Sequence, residues 1–193
     1  MHKSTILLIL SLISIVTLNS CSILAIGVVA TAAGTTAAVA TDPRRSGTVV
    51  DDNTISTKLQ NRISKDLPNS NIYVTCYNGA VLLTGQATTA KSKDKAEFDS
   101  KTIPGVKQIY NYLNIRLPQS FSSRTNDSFI TTQIKTTLIG MSNISSNNIK
   151  VVTTESVVYL LGVVTKEQAK EIAKTAANIN DVTKVVTLFE YKS

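Results

Sequence analysis

The sequence predicts an α+β protein built from two tandem αββαβ domains, each a three-stranded mixed sheet with two helices on one face. Three observations predict it. The first is an internal repeat. Asp52-Asn53-Thr54-Ile55 aligns with Asp127-Ser128-Phe129-Ile130, and Asn71-Ile72-Tyr73-Val74 with Asn148-Ile149-Lys150-Val151. Val81-Leu82-Leu83-Thr84-Gly85 aligns with Val158-Tyr159-Leu160-Leu161-Gly162, and Ile103-Pro104-Gly105-Val106 with Ile179-Asn180-Asp181-Val182. A spacing that stays within 75 to 77 residues, the first loop being longer in the second copy, marks one supersecondary unit used twice. The second is an apolar stripe opening each copy: Ile55, Leu59 and Ile63, then Ile130, Ile134 and Leu138. That spacing sets one face of a helix. The third is the strand-like alternation that follows it.

In the first copy Ile72, Val74 and Cys76 alternate with Tyr73, Thr75 and Tyr77. Asn78-Gly79 closes this strand onto the next as a hairpin turn, because both residues tolerate positive φ. Val81, Leu83 and Gly85 continue one face of the second strand. A helix over about 89–102 and a last strand over about 106–116 complete the unit; Pro104-Gly105 stops the helix. In the second copy these elements fall at about 166–178 and 182–191. Tyr73 and Tyr77 lie opposite the core face, where they either cover the other domain or stay half-exposed. Cys76 reads as a small buried hydrophobe, since no redox partner is visible.

Composition narrows the chemistry. The chain has 193 residues, 42% hydrophobic and 17% charged, with a formal net charge of +7. A modest positive balance favours anionic partners. It is spread out rather than gathered into an arm for nucleic acid. The one histidine is His2, inside the segment read as a signal peptide. The rest of the chain therefore lacks the commonest general base and metal ligand. Its 13 acidic residues are scattered and form no paired-carboxylate motif. No catalytic residue, metal site or cofactor is expected, and the chain reads as a binding protein rather than an enzyme.

Residues 1–20 read as a secretory signal: Lys3 for the charged end, then an apolar run from Ile6 to Val16. Leu18-Asn19-Ser20-Cys21 resembles the bacterial lipobox. That resemblance implies cleavage before Cys21, diacylglyceryl attachment to its sulfur and acylation of the new amine. Several acyl chains anchor a protein firmly, at about 0.8 kcal/mol per buried methylene. Ser22 stands where an inner-membrane retention signal has Asp, which favours the outer membrane. Ile23 to Ala40 carries no charge but holds Gly27, Gly34, Thr31, Thr35 and Thr36, making it a weak spanning helix. It reads as a tether. The expected organisation is 1–20 signal peptide, 21–48 lipidated cysteine and tether, 49–117 first domain and 124–193 second domain.

The Val81-Leu82-Leu83-Thr84-Gly85 strand and the closing Gly105-Val106-Lys107-Gln108-Ile109-Tyr110-Asn111 resemble the BON domain (bacterial OsmY and nodulation). Asp181 and Thr187 replace the glycine and the asparagine in the second copy. The lipobox, the Ala-rich tether, Asp42-Pro43-Arg44 and two such copies together resemble the dual-BON outer-membrane lipoproteins. This implies a periplasm-facing, lipid-anchored protein that binds anionic phospholipid of the phosphatidylglycerol kind through its second BON domain. It also implies support of envelope integrity and enrichment at division sites. The alternative is an envelope scaffold that docks onto protein partners or peptidoglycan, with lipid contact only through the acyl anchor.

Equivalent positions of the two copies serve as an internal comparison. Thr54 corresponds to Phe129, Gln60 to Lys135 and Ser64 to Ile139. The second copy thus adds large apolar residues outside the shared stripe, about 80° apart on a helix of 3.6 residues per turn. An apolar helical surface beside a cation describes an interfacial membrane contact. Phe129, Gln133, Lys135 and Ile139 are the candidate lipid-binding residues; the alternative is that this surface packs against the first domain. Lys166, Lys170 and Lys174 form one ridge, interleaved with Glu167 and Glu171. It is either a solvated face or an aid to orientation on anionic lipid.

Overall fold

A computed structural model describes residues 46–118 and 121–192. The signal peptide, Cys21 and most of the tether lie outside the described residues. Asp42–Ser193 forms one compact unit that holds both copies.

The first domain runs α1 (Ser46–Asp66), β1 (Asn71–Tyr77), β2 (Ala80–Ala87), α2 (Ala90–Lys101), β3 (Gln108–Asn111) and β4 (Asn114–Ile115). The second runs α3 (Phe121–Ile139), β5 (Ile149–Thr154), β6 (Val157–Val164), α4 (Lys166–Ala177) and β7 (Lys184–Tyr191). β2 is central, antiparallel to β1 and parallel to β3 and β4. β6 is likewise antiparallel to β5 and parallel to β7. α1 and α3 each begin about two and a half turns before the first residue of the apolar stripe.

Each helix pair buries its stripe on one face of its sheet. Ile55, Leu59 and Ile63 meet Ile72, Cys76, Val81 and Leu83. Ile130, Ile134 and Leu138 meet Ile149, Val151, Val158 and Leu160, with Ile172 and Ala176 from α4. Thr89 caps α2 by accepting from Ser92 N, and Thr165 opens α4 with a capping box to Gln168.

The other sheet faces meet each other. Tyr77, Leu82, Tyr159 and Leu161 form a third buried cluster, flanked by Tyr110, Val152, Val186 and Leu188. Tyr77 therefore covers the other domain, and its hydroxyl donates to Asn148 O at 3.0 Å. Tyr73 stays partly exposed. The domains stack as helices, sheet, sheet, helices, and both central strands are buried on both faces.

Two buried carboxylates hold the hairpins. Asp52 accepts from Asn78 N at 2.7 Å and Gly79 N at 2.8 Å. Asp127 accepts from Glu155 N at 2.9 Å and Ser156 N at 2.8 Å. All four turn residues have positive φ, the conformation a two-residue hairpin needs. Asn78-Gly79 adopts it readily; Glu155-Ser156 does so against steric preference.

The last strand differs between copies. It is one element in the second domain but is interrupted at Tyr112-Leu113 in the first, where a continuous strand over about 106–116 was expected. Asn111 is the reason: its Oδ1 accepts from Leu113 N at 3.3 Å, an Asx turn. The turn drops Leu113 into the core. Thr187, at the equivalent position, cannot reach as far, and β7 runs on.

Gly85 sits at φ +102, and a Cβ there would collide with the backbone O of Asn71. Gly85→Ala is expected to cost about 2 kcal/mol or more, measured by urea unfolding. Asp127→Ala should cost about 2–3 kcal/mol by loss of charge-assisted bonds. It should exceed Asp52→Ala, because Asn78-Gly79 keeps its turn unaided. Burial at the domain interface, beside Tyr112 and Glu155, pushes the Tyr159 hydroxyl up to about 12. The unfolded chain loses this proton near 10, so stability should fall as pH rises from 10 to 12. Tyr159→Phe should flatten that decline in a pH series of thermal melts.

Candidate membrane-contact face

α3 carries the core stripe on one side and an open arc on the other. Phe129 is 59% exposed and Ile139 71% exposed, so neither packs against the first domain. Ten residues of helix separate them by about 15 Å. Thr132 and Thr136, both exposed, lie on the arc between them, and Lys135 is exposed at its edge. Thr132 donates its hydroxyl to Ser128 O at 2.9 Å. Hydroxyls satisfied within the helix ask nothing of an apolar phase. Gln133 lies on the opposite side of Phe129, toward the core, and is half-buried. Its Oε1 is buried without a hydrogen-bond partner among the described residues.

The Lys135 position shows what the second copy gave up. In the first domain Gln60 seals the edge of β1: Oε1 accepts from Val74 N and Nε2 donates to Ile72 O, each at 2.9 Å. Ser56 Oγ accepts from Cys76 N at 2.9 Å beside it. In the second domain the Gln60 position is Lys135, turned to solvent, and the Ser56 position is Thr131, which donates to Thr153 Oγ1 at 2.7 Å. The edge loses an amide and the surface gains a cation.

α4 lies beside α3 on the same sheet face. Lys166, Lys170 and Lys174 are all exposed there, and none has an ion-pair partner among the described residues. Asn143 ties the end of α3 to α4: its Nδ2 donates to Glu171 and its O accepts from Gln168 Nε2. The basic ridge and the apolar arc therefore belong to one layer. Glu167, at the first turn of α4, is held below its usual range by backbone and Thr165 hydrogen bonds, so it stays charged within the ridge.

A groove of about 650 Å³ runs between the β1 and β5 edges, lined by Tyr73, Arg124, Asp127, Thr131 and Thr153 among others. Its one carboxylate, Asp127, is committed to turn amides. Among the described residues no cluster of three His, Cys, Asp or Glu side chains could hold a metal. No described helix is long and apolar enough to cross a membrane. Sequence reading gave no role to Asp52, Asp127, Gln86 or Glu155. Two aspartates at equivalent positions of a repeat were the available signal for the first pair; nothing local marks the second.

Comparison with known proteins fits this geometry. The BON domain model matches residues 51–116 and 126–193. Outer membrane lipoprotein DolP of Haemophilus influenzae is 37% identical over 158 residues, 80% of this chain and 82% of that protein. The 21 kDa hemolysin of Actinobacillus pleuropneumoniae is 35% identical over 153 residues, 78% of this chain and 79% of that one. Among solved structures, CdsD of the Chlamydia trachomatis type III secretion system aligns over 75% of this chain and 92% of that chain, at 10% identity and a TM-score of 0.31; this bears no weight. Two BON domains in tandem, a buried two-sheet interface between them and the DolP-like identity along most of the chain make this protein a member of the dual-BON outer-membrane lipoprotein family, a family of lipoproteins and not of enzymes.

Proposed function

We propose that this lipoprotein binds anionic phospholipid at the periplasmic face of the outer membrane, through α3 of its second BON domain, and is anchored there by acylated Cys21. The observation that carries the reading is the exposure of Phe129 and Ile139 on one arc of α3, beside Lys135. Burying these two side chains contributes about 1.5–3 kcal/mol each, before the cost of orienting the domain. Lys135, Lys166, Lys170 and Lys174 add about 1 kcal/mol each near an anionic surface. The sum describes weak, reversible contact. The acyl chains supply residence at the membrane, and α3 supplies the choice of lipid.

Support of envelope integrity and enrichment at division sites follow as the physiological form of this reading. A protein that senses anionic lipid gathers where such lipid gathers. The competing reading, a scaffold for envelope proteins or peptidoglycan, would use the same open arc of α3 as a docking surface.

Residues 42–193, without Cys21, should bind phosphatidylglycerol vesicles and ignore phosphatidylcholine vesicles in a flotation assay. Binding should weaken as salt rises. Phe129→Asp should abolish it while circular dichroism stays unchanged. Absence of wild-type binding to the anionic vesicles overturns the lipid reading and leaves the scaffold in front.

A further inference from the structure

The two domains meet through a face that is nearly symmetric but for its rim. Asn78 and Glu155 are equivalent, since each gives its backbone N–H to the Asp that holds its hairpin. Asn114 and Glu190 are equivalent, since they pair in register with Gln86 and Val163, which follow Gly85 and Gly162. Arg116 and Lys192 are equivalent, since their amides donate to Ala87 O and Val164 O. The rim contacts obey the same relation. Asn78 Nδ2 donates to Glu190 Oε2 at 2.6 Å, and Asn114 Nδ2 donates to Glu155 Oε2 at 2.6 Å. These are one contact made twice about a pseudo-twofold axis, with amides on the first domain and carboxylates on the second.

Glu155 sits deepest, its side chain only 12% exposed. Besides Asn114 it receives Gln86 Nε2 and the Arg116 guanidinium. Among the described residues, every donor comes from the first domain.

We infer that these rim residues are a pairing code: the sheet face of the second domain accepts a first-domain face and rejects its own kind. In a pairing of two second domains, Glu155 would meet Val163, Glu190 and Lys192 in place of Gln86, Asn114 and Arg116. One amide is lost, another becomes a like charge, and a single cation remains. A pairing of two first domains would set Asn78 against Gln86, Asn114 and Arg116, leaving a guanidinium and a buried amide without their carboxylate. Only the mixed pair sets a carboxylate against all three donors. Like charges set face to face suppress a wrong partner more than they strengthen the right one. At the high local density of an anchored protein, this keeps each chain closed on itself instead of joining identical faces into larger assemblies.

The test uses residues 42–193, the compact unit that contains all three cores. An all-acid chain carries Asn78→Glu and Asn114→Glu; an all-amide chain carries Glu155→Gln and Glu190→Gln. Glutamate already occupies both equivalent positions in the second domain, so the acid changes are compatible with the local backbone. The all-acid chain should open, sedimenting more slowly than wild type while remaining monomeric. Mixed with the all-amide chain it should form a 1:1 dimer, because both exchanged pairs are then acid against amide. That dimer should be at least about tenfold tighter than self-association of either chain, and wild type mixed with the all-acid chain should stay monomeric. An all-acid chain as compact as wild type, or a complementary mixture without dimer, overturns the code.

Discussion

Burial of β2 and β6 on both faces is the constraint on which the rest depends. Helices cover one face of each sheet, and a domain of this size closes only a thin core by itself. Leu82, Tyr159 and Leu161 sit on the faces the helices leave open. The two domains solve the problem for each other: each sheet is the other's lid. Apolar area drives the pairing without direction, so alignment falls to the polar rim. Tyr77 donating to Asn148 O and the donors around Glu155 supply it.

That division explains where strain is tolerated. Glu155 and Ser156 hold positive φ without glycine. Asp127 stabilises the turn from inside, and the Glu155 side chain is stabilised from across the interface. The conformation is costly, and it aims a carboxylate at three donors. In the first domain the turn is Asn78-Gly79, and no side chain there must serve as the buried acceptor. The unfavourable backbone lies where the domain contact needs it.

The same economy separates the two outer helices. α1 spends Gln60 and Ser56 on the backbone of its edge strand, a common defence of exposed edges. α3 releases the Gln60 position as Lys135, and exposes Phe129 and Ile139 where α1 has Thr54 and Ser64. Because the sheets occupy each other's free faces, the helical layers are what remain to face other molecules. The first domain's layer is turned inward to its own maintenance, and the second domain's layer is free for a surface.

The sequence by itself determined the repeat, the element order, both helix stripes and the apolar side of β1, because periodicity and turn chemistry are local and each copy checks the other. It also marked Phe129, Lys135 and Ile139 as outside the stripe, since a helical wheel needs only spacing. Spacing alone also puts Gln133 on the stripe side of Phe129, about 40° away, and the Asx turn that breaks the last strand at Asn111 is a local contact. That Tyr77 is buried and Tyr73 half-open depends on what approaches from elsewhere in the chain. Glu155 is the clearest case: in sequence it is one acid among 13, between two strands. Its role arises only when folding brings Gln86, Asn114 and Arg116 to it from another domain, because hydrogen-bond donors act over a few ångströms of space and not along the chain.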